Sequence, residues 1–159
     1  MTASPLVSRR RGSSLSVLAA AACLLSACRA VPNTRVEPQF IHPDGPPTNP
    51  FSPGVRVGNL IFVSGTLGTK PDGTLVPGGI VPETRQLLEN IKRILASADV
   101  GMDRLVKCTV FMADLAEWPA MNDVYRSYFN NGNYPARAAV QATLLFGARV
   151  EMECAAAAK

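Results

Sequence analysis

The 159-residue chain carries 16 basic and 12 acidic residues, a formal net charge of +4, one histidine and four cysteines. Three of the arginines, Arg9, Arg10 and Arg11, stand in an N-terminal stretch without acids, so beyond residue 27 thirteen basic residues face twelve acidic ones. The apparent basicity is therefore a targeting feature, and the near-neutral remainder weighs against a nucleic-acid footprint; with only His42, in a proline-rich stretch, a histidine triad or metal cluster is excluded.

After the arginines the run from Leu15 to Leu25 is apolar or small except for Ser16, and it ends in Leu25-Ser26-Ala27-Cys28. A basic start, a short apolar core and a small-residue exit predict a secretory signal over residues 1–27, too short to remain a spanning helix. The tetrad has the form of a bacterial lipobox. Cys28 is therefore the expected lipidation site, and the mature chain is expected to be exported, periplasmic and lipid-anchored to a bacterial membrane.

Residues 28–49 are proline-rich and show no hydrophobic period, which predicts a tether. Residues 50–159 are then long enough for one domain. Val55–Val57 and Leu60–Ser64 are β-rich runs about Gly58-Asn59, the pattern of a hairpin or tightly bent strand. Pro71-Asp72-Gly73 predicts a turn. Pro82 suits the first turn of a helix and Glu83 its dipole, while Leu87, Leu88, Ile91, Ile94 and Leu95 recur at helical spacing.

"LVKCTVFMAD" reads as a strand, and Asp114-x-x-Glu117 resembles a capping box for a second helix with Met121, Val124, Tyr125 and Tyr128 as its apolar stripe. Two last strands, around Arg137 and around Glu151, are expected as a hairpin turning near Phe146-Gly147. Cys108 and Cys154 fall in strand-like runs and are expected as buried thiols. Strands, helix, strand, helix and two strands give an α+β sheet with both helices on one face. The uncovered face points to oligomerisation.

In this order, "RVGNLIFVSG", "TRQLLENIKRIL", "VKCTVFMADL", "MNDVYRSYF", "PARAAVQ" and "VEMECAA" resemble successive blocks of the RidA/YjgF family, across about residues 50–157. The resemblance implies a chorismate-mutase-like fold, a six-stranded sheet with two helices assembled as a homotrimer with clefts between subunits. It implies hydrolysis of a reactive 2-imino or 2-enamino acid to a 2-keto acid and ammonia, without a cofactor. It places the carboxylate-binding arginine on Arg137, the acid beside the attacking water on Glu151, and further substrate contacts on Asn122 and Ser64. Phe51 stands where many relatives have a substrate-facing tyrosine. Ala138 and Ala139 follow the arginine where polar residues are usual, so the expected pocket is less polar.

The residue chemistry fits those roles. A guanidinium presents a planar donor fork that grips a carboxylate through two bonds, and a carboxylate of raised pKa can take a proton from water. Arg137 and Glu151 could instead form an ion pair at a subunit interface. Trp118 and Tyr125 read as packing residues. Beside the deaminase stand two other functions, a non-catalytic module that binds small carboxylates in the same clefts and, disfavoured by charge, an endoribonuclease. The expected partners are a small carboxylate, copies of the chain and the membrane.

Overall fold

The structure, a computed structural model, describes residues 35–129 and 132–158. The described residues from Val36 onward belong to one compact unit, Val36–Lys159. The predicted signal and Cys28 lie outside the described residues, and every element below belongs to that unit.

Six strands and two helices follow in the order β1 (Gln39–Ile41), β2 (Gly54–Val57), β3 (Leu60–Leu67), α1 (Ile80–Ala96), β4 (Leu105–Met112), α2 (Trp118–Arg126), β5 (Ala136–Gln141) and β6 (Val150–Ala157). They build one mixed sheet in the order β1-β2-β3-β6-β4-β5. The β4–β5 pair is parallel and the other pairs are antiparallel. The α+β class with a six-stranded sheet and two helices is thus present. The strand β1 falls inside the stretch read as a tether, where Phe40 pairs with Val55.

The expected hairpin turn about Gly58-Asn59 joins β2 to β3, with Gly58 at φ 58°. The turn at Pro71-Asp72-Gly73 is closed by Asp72, whose carboxylate accepts from Thr74 N–H at 2.9 Å. The predicted α1 stripe is the core. Leu87, Leu88, Ile91 and Leu95 are fully buried against Ile61 of β3, Val110 and Met112 of β4, and Val150 and Met152 of β6. Met121, Val124 and Tyr125 of α2 close the same cluster.

Three local expectations are corrected. The last two strands are not a hairpin: β6 lies between β3 and β4, and β5 pairs with β4 at the edge. Burial explains the sorting. On β6 Val150, Met152, Cys154 and Ala156 alternate buried with half-exposed neighbours, as a central strand requires, whereas no residue of β5 is buried. The α2 segment supplies the crossover that a parallel β4–β5 pair needs.

Second, Cys108 and Cys154 are not thiols. They face each other across β4 and β6 with Cα atoms 4.1 Å apart and form a disulfide. Without the β4–β6 adjacency, which sequence spacing does not reveal, their pairing was invisible. Third, Asp114 does not form a capping box with Glu117. Its carboxylate accepts from Ala116 N–H at 2.8 Å within a 3-10 turn, and Glu117 turns to Arg149 instead.

Both helices cover one face. The other stays open, and the cross-strand row Phe40, Val55, Phe62 and Ala155 lies on it, with Phe40 63% and Phe62 50% exposed.

Candidate functional site

The residues singled out from the sequence fall into two groups. Arg137 leads the first. It opposes Cys108 of β4, whose side chain is buried in the core, so Arg137 projects to the helix-covered face. There α2 presents Trp118, Asn122 and Tyr125, spaced i, i+4 and i+7 on one stripe.

All three reach the guanidinium. Arg137 Nη2 donates to Asn122 Oδ1 at 2.6 Å, and the guanidinium carbon lies over the Trp118 ring at 4.6 Å and the Tyr125 ring at 4.3 Å. Among the described residues the buried Nη1 has no acceptor and the buried Tyr125 hydroxyl no hydrogen-bond partner. A cavity of about 250 Å³ opens here, lined by Asn122, Tyr125, Arg126, Tyr134, Pro135 and Arg137. Burial, and to a lesser degree Arg126, draws the Arg137 pKa down while Tyr125 opposes them; a guanidinium nevertheless stays charged at any ordinary pH. Burial pushes the Tyr125 phenol up, with Arg137 acting against it.

The second group surrounds Glu151. This residue opposes Leu67 of β3 and Phe111 of β4 and points to the open face. Its carboxyl is held above the ordinary carboxylate range, first by burial and then by the neighbouring charge of Glu153. Opposite, β3 carries an extra residue between Val63 and Thr66, a bulge that contains Ser64 and Gly65. Gly65 leaves room for the Glu151 carboxylate, because any side chain there would overlap Oε1.

Ser64 anchors the bulge to the loop before β2. Its hydroxyl donates to Ser52 O at 2.7 Å and its N–H to Pro53 O at 3.0 Å. The hydroxyl is therefore engaged with backbone, and its contribution is to hold the loop where Phe51 stands 54% exposed. Arg149, two residues before Glu151, ties α1 and the 3-10 turn that precedes α2 to the start of β6. Its N–H donates to the buried Glu83 at 2.8 Å and its Nε to Glu117 at 2.6 Å.

Arg137 and Asn122 are thus together, as are Glu151, Ser64 and the Phe51 loop, but within one chain the two groups do not meet. That geometry excludes an Arg137–Glu151 ion pair inside one chain. Trp118 and Tyr125 beside Arg137, and Gly65 beside Glu151, are neighbours of the candidate residues that residue-by-residue reading missed. The spacing Trp118-x3-Asn122-x2-Tyr125 was the available signal, since it puts both rings on the stripe of the predicted Asn122.

A mixed six-stranded sheet with two helices on one face and an aromatic-flanked arginine on its edge strand defines a small α+β domain with a cation held beside a cavity. Residues 43–158 match the family described as Endoribonuclease L-PSP, the RidA/YjgF group, and the chain belongs to that family. It is 48% identical over 109 residues to a goat (Capra hircus) 2-iminobutanoate/2-iminopropanoate deaminase, covering 67% of this chain and 79% of the relative. The human protein of the same name is 41% identical over 109 residues, 67% of this chain and 79% of the relative. Among solved structures, the Rid-family protein YyfA from Yersinia pestis, of unknown function, superposes with a TM-score of 0.72 at 33% identity, covering 76% of this chain and 99% of that one.

Proposed function

We propose that the chain hydrolyses reactive 2-imino acids of the 2-iminopropanoate and 2-iminobutanoate type to the 2-keto acid and ammonia, at sites assembled between copies of a homotrimer. The observation that carries this reading is Arg137, fixed by Asn122 and two rings with Nη1 left without an acceptor. Identities of 41–48% to relatives named as deaminases support a deaminase-like hydrolase.

Arg137 binds the substrate carboxylate, and Asn122 steadies the guanidinium. Glu151, contributed by a neighbouring copy, accepts a proton from water as the water oxygen bonds to the imine carbon. Glu151 returns that proton to nitrogen, giving a 2-amino-2-hydroxy acid; it then takes the hydroxyl proton and passes it to nitrogen as the carbonyl forms and the carbon–nitrogen bond breaks, releasing ammonia and the 2-keto acid. Little more than positioning and one proton acceptor is needed for so reactive a substrate. The open sheet face bearing Phe40 and Phe62 is the surface that copies of the chain would cover.

The site works outside the cytoplasm in this proposal, with the mature chain lipidated at Cys28. The Cys108–Cys154 disulfide favours that setting, because disulfides persist in oxidising compartments. Cys28→Ala should release the chain from membranes or leave it unprocessed, and full-length chain in the cytosol would contradict export. The chemistry is tested with the unit starting at Val36, assayed on imino acids generated in situ. Pyruvate binding without ammonia release would favour a non-catalytic carboxylate-binding module.

A further inference from the structure

Arginine on an exposed edge strand is ordinarily free to sweep through water, and ordering so long a side chain costs conformational entropy. Arg137 is not free. Two rings and one amide from a single stripe of α2 hold it, and the helix fixes them relative to one another. The contacts also divide the guanidinium by geometry. Ring faces attract the faces of the cation, whereas a carboxylate bonds in the guanidinium plane through N–H groups.

We infer that Trp118 and Tyr125 are positioning residues that hold the plane of Arg137 so that an in-plane N–H edge meets a carboxylate entering the cavity of about 250 Å³. The inference rests on Arg137 being the substrate anchor, as proposed above. Nη2 is committed to Asn122 Oδ1, and the buried Nη1 has no acceptor among the described residues. The rings also remove water from the faces of the cation, so a carboxylate meets it in a medium of lower dielectric. Tyr125 Oη is itself unpartnered, so its ring is the part that grips and its hydroxyl can be removed separately.

The test uses the full chain with pyruvate as the binding probe and 2-iminopropanoate as substrate. Trp118→Phe and Tyr125→Phe retain a ring, whereas Trp118→Leu and Tyr125→Leu remove it. Each leucine variant should weaken pyruvate binding and raise KM by about three- to tenfold, with the loss falling on KM more than on kcat. Both phenylalanine variants should stay near the parent in KM, even where their melting temperature falls. A purely structural role would lower melting temperature without this division between ring-retaining and ring-deleting variants.

The chain's single tryptophan provides a direct readout, since Trp118 emission should change when pyruvate reaches Arg137 and should not change in Arg137→Ala. Leucine variants that fold and bind pyruvate like the parent overturn the inference alone. Should they not fold, a titration in which parental Trp118 emission is unaffected by bound pyruvate overturns it. A parent that neither binds pyruvate nor hydrolyses the imine removes the functional reading as well.

Discussion

Arg137 and Glu151 stand on opposite faces of one sheet with a strand between them. Arg137 on β5 opposes Cys108 on β4, and Cys108 opposes Cys154 on β6. Glu151 is three positions from Cys154, an odd number that reverses the face. Two strand spacings add roughly 10 Å of lateral separation. A small imino acid cannot bridge the two within one chain, so the proposed anchor and base meet only if copies contribute one each.

Gly65 controls the space occupied by the Glu151 carboxylate. Gly65→Ala should displace that carboxylate while leaving Arg137 and its ring contacts untouched. The expected result is a large loss of kcat with pyruvate affinity preserved, read by steady-state kinetics beside a binding titration. Unchanged turnover would show that the carboxylate position is immaterial.

Burial and Glu153 raise the Glu151 pKa above the ordinary 4.5. The folded chain then keeps this proton to higher pH than the unfolded one. The associated stability is fully present below pH 4.5 and is lost as pH rises through the raised folded value. Glu151→Gln should therefore melt above the parent at neutral pH, and the difference should vanish in acid. Parental turnover should fall as pH drops through the same raised value, and the variant should be slower on the order of a hundredfold. A variant less stable than the parent at neutral pH would contradict the assignment of burial as the cause.

The disulfide closes a sequence separation of 46 residues, which in a chain-entropy treatment contributes about 3–4 kcal/mol. Cys108→Ala combined with Cys154→Ala should lower the melting temperature clearly, and unfolded, non-reduced protein should show no free thiol from this pair. Free thiols at both positions in protein purified without reductant would contradict the bond.

Much of the core was legible before any coordinates. Leu87, Leu88, Ile91 and Leu95 repeat at helical spacing because a single helix face must be buried, and local periodicity carries that information. Strand partners are not local. Nothing near Cys108 or Cys154 says that β6 inserts beside β4, so both the disulfide and the separation of Arg137 from Glu151 depended on topology. The family resemblance singles out Arg137 and Asn122, and the fold brings the two within hydrogen-bond distance. Trp118 and Tyr125 read as packing because apolar stripes usually are, and their contacts with Arg137 depend on which strand lies beneath the helix.

Subunit mixing tests the shared site most directly. Arg137→Ala should lose at least tenfold in carboxylate binding together with turnover, and Glu151→Gln should bind but turn over poorly, so each is inactive alone. Coassembled from a mixture of both chains, a closed ring should contain intact sites at roughly a quarter of its interfaces, each pairing Arg137 of one copy with Glu151 of the next. The expected result is imine hydrolysis regained to about that fraction of the parental rate. Mixed assemblies as inactive as their separate components would contradict a site shared between copies, and with it the joint roles of Arg137 and Glu151.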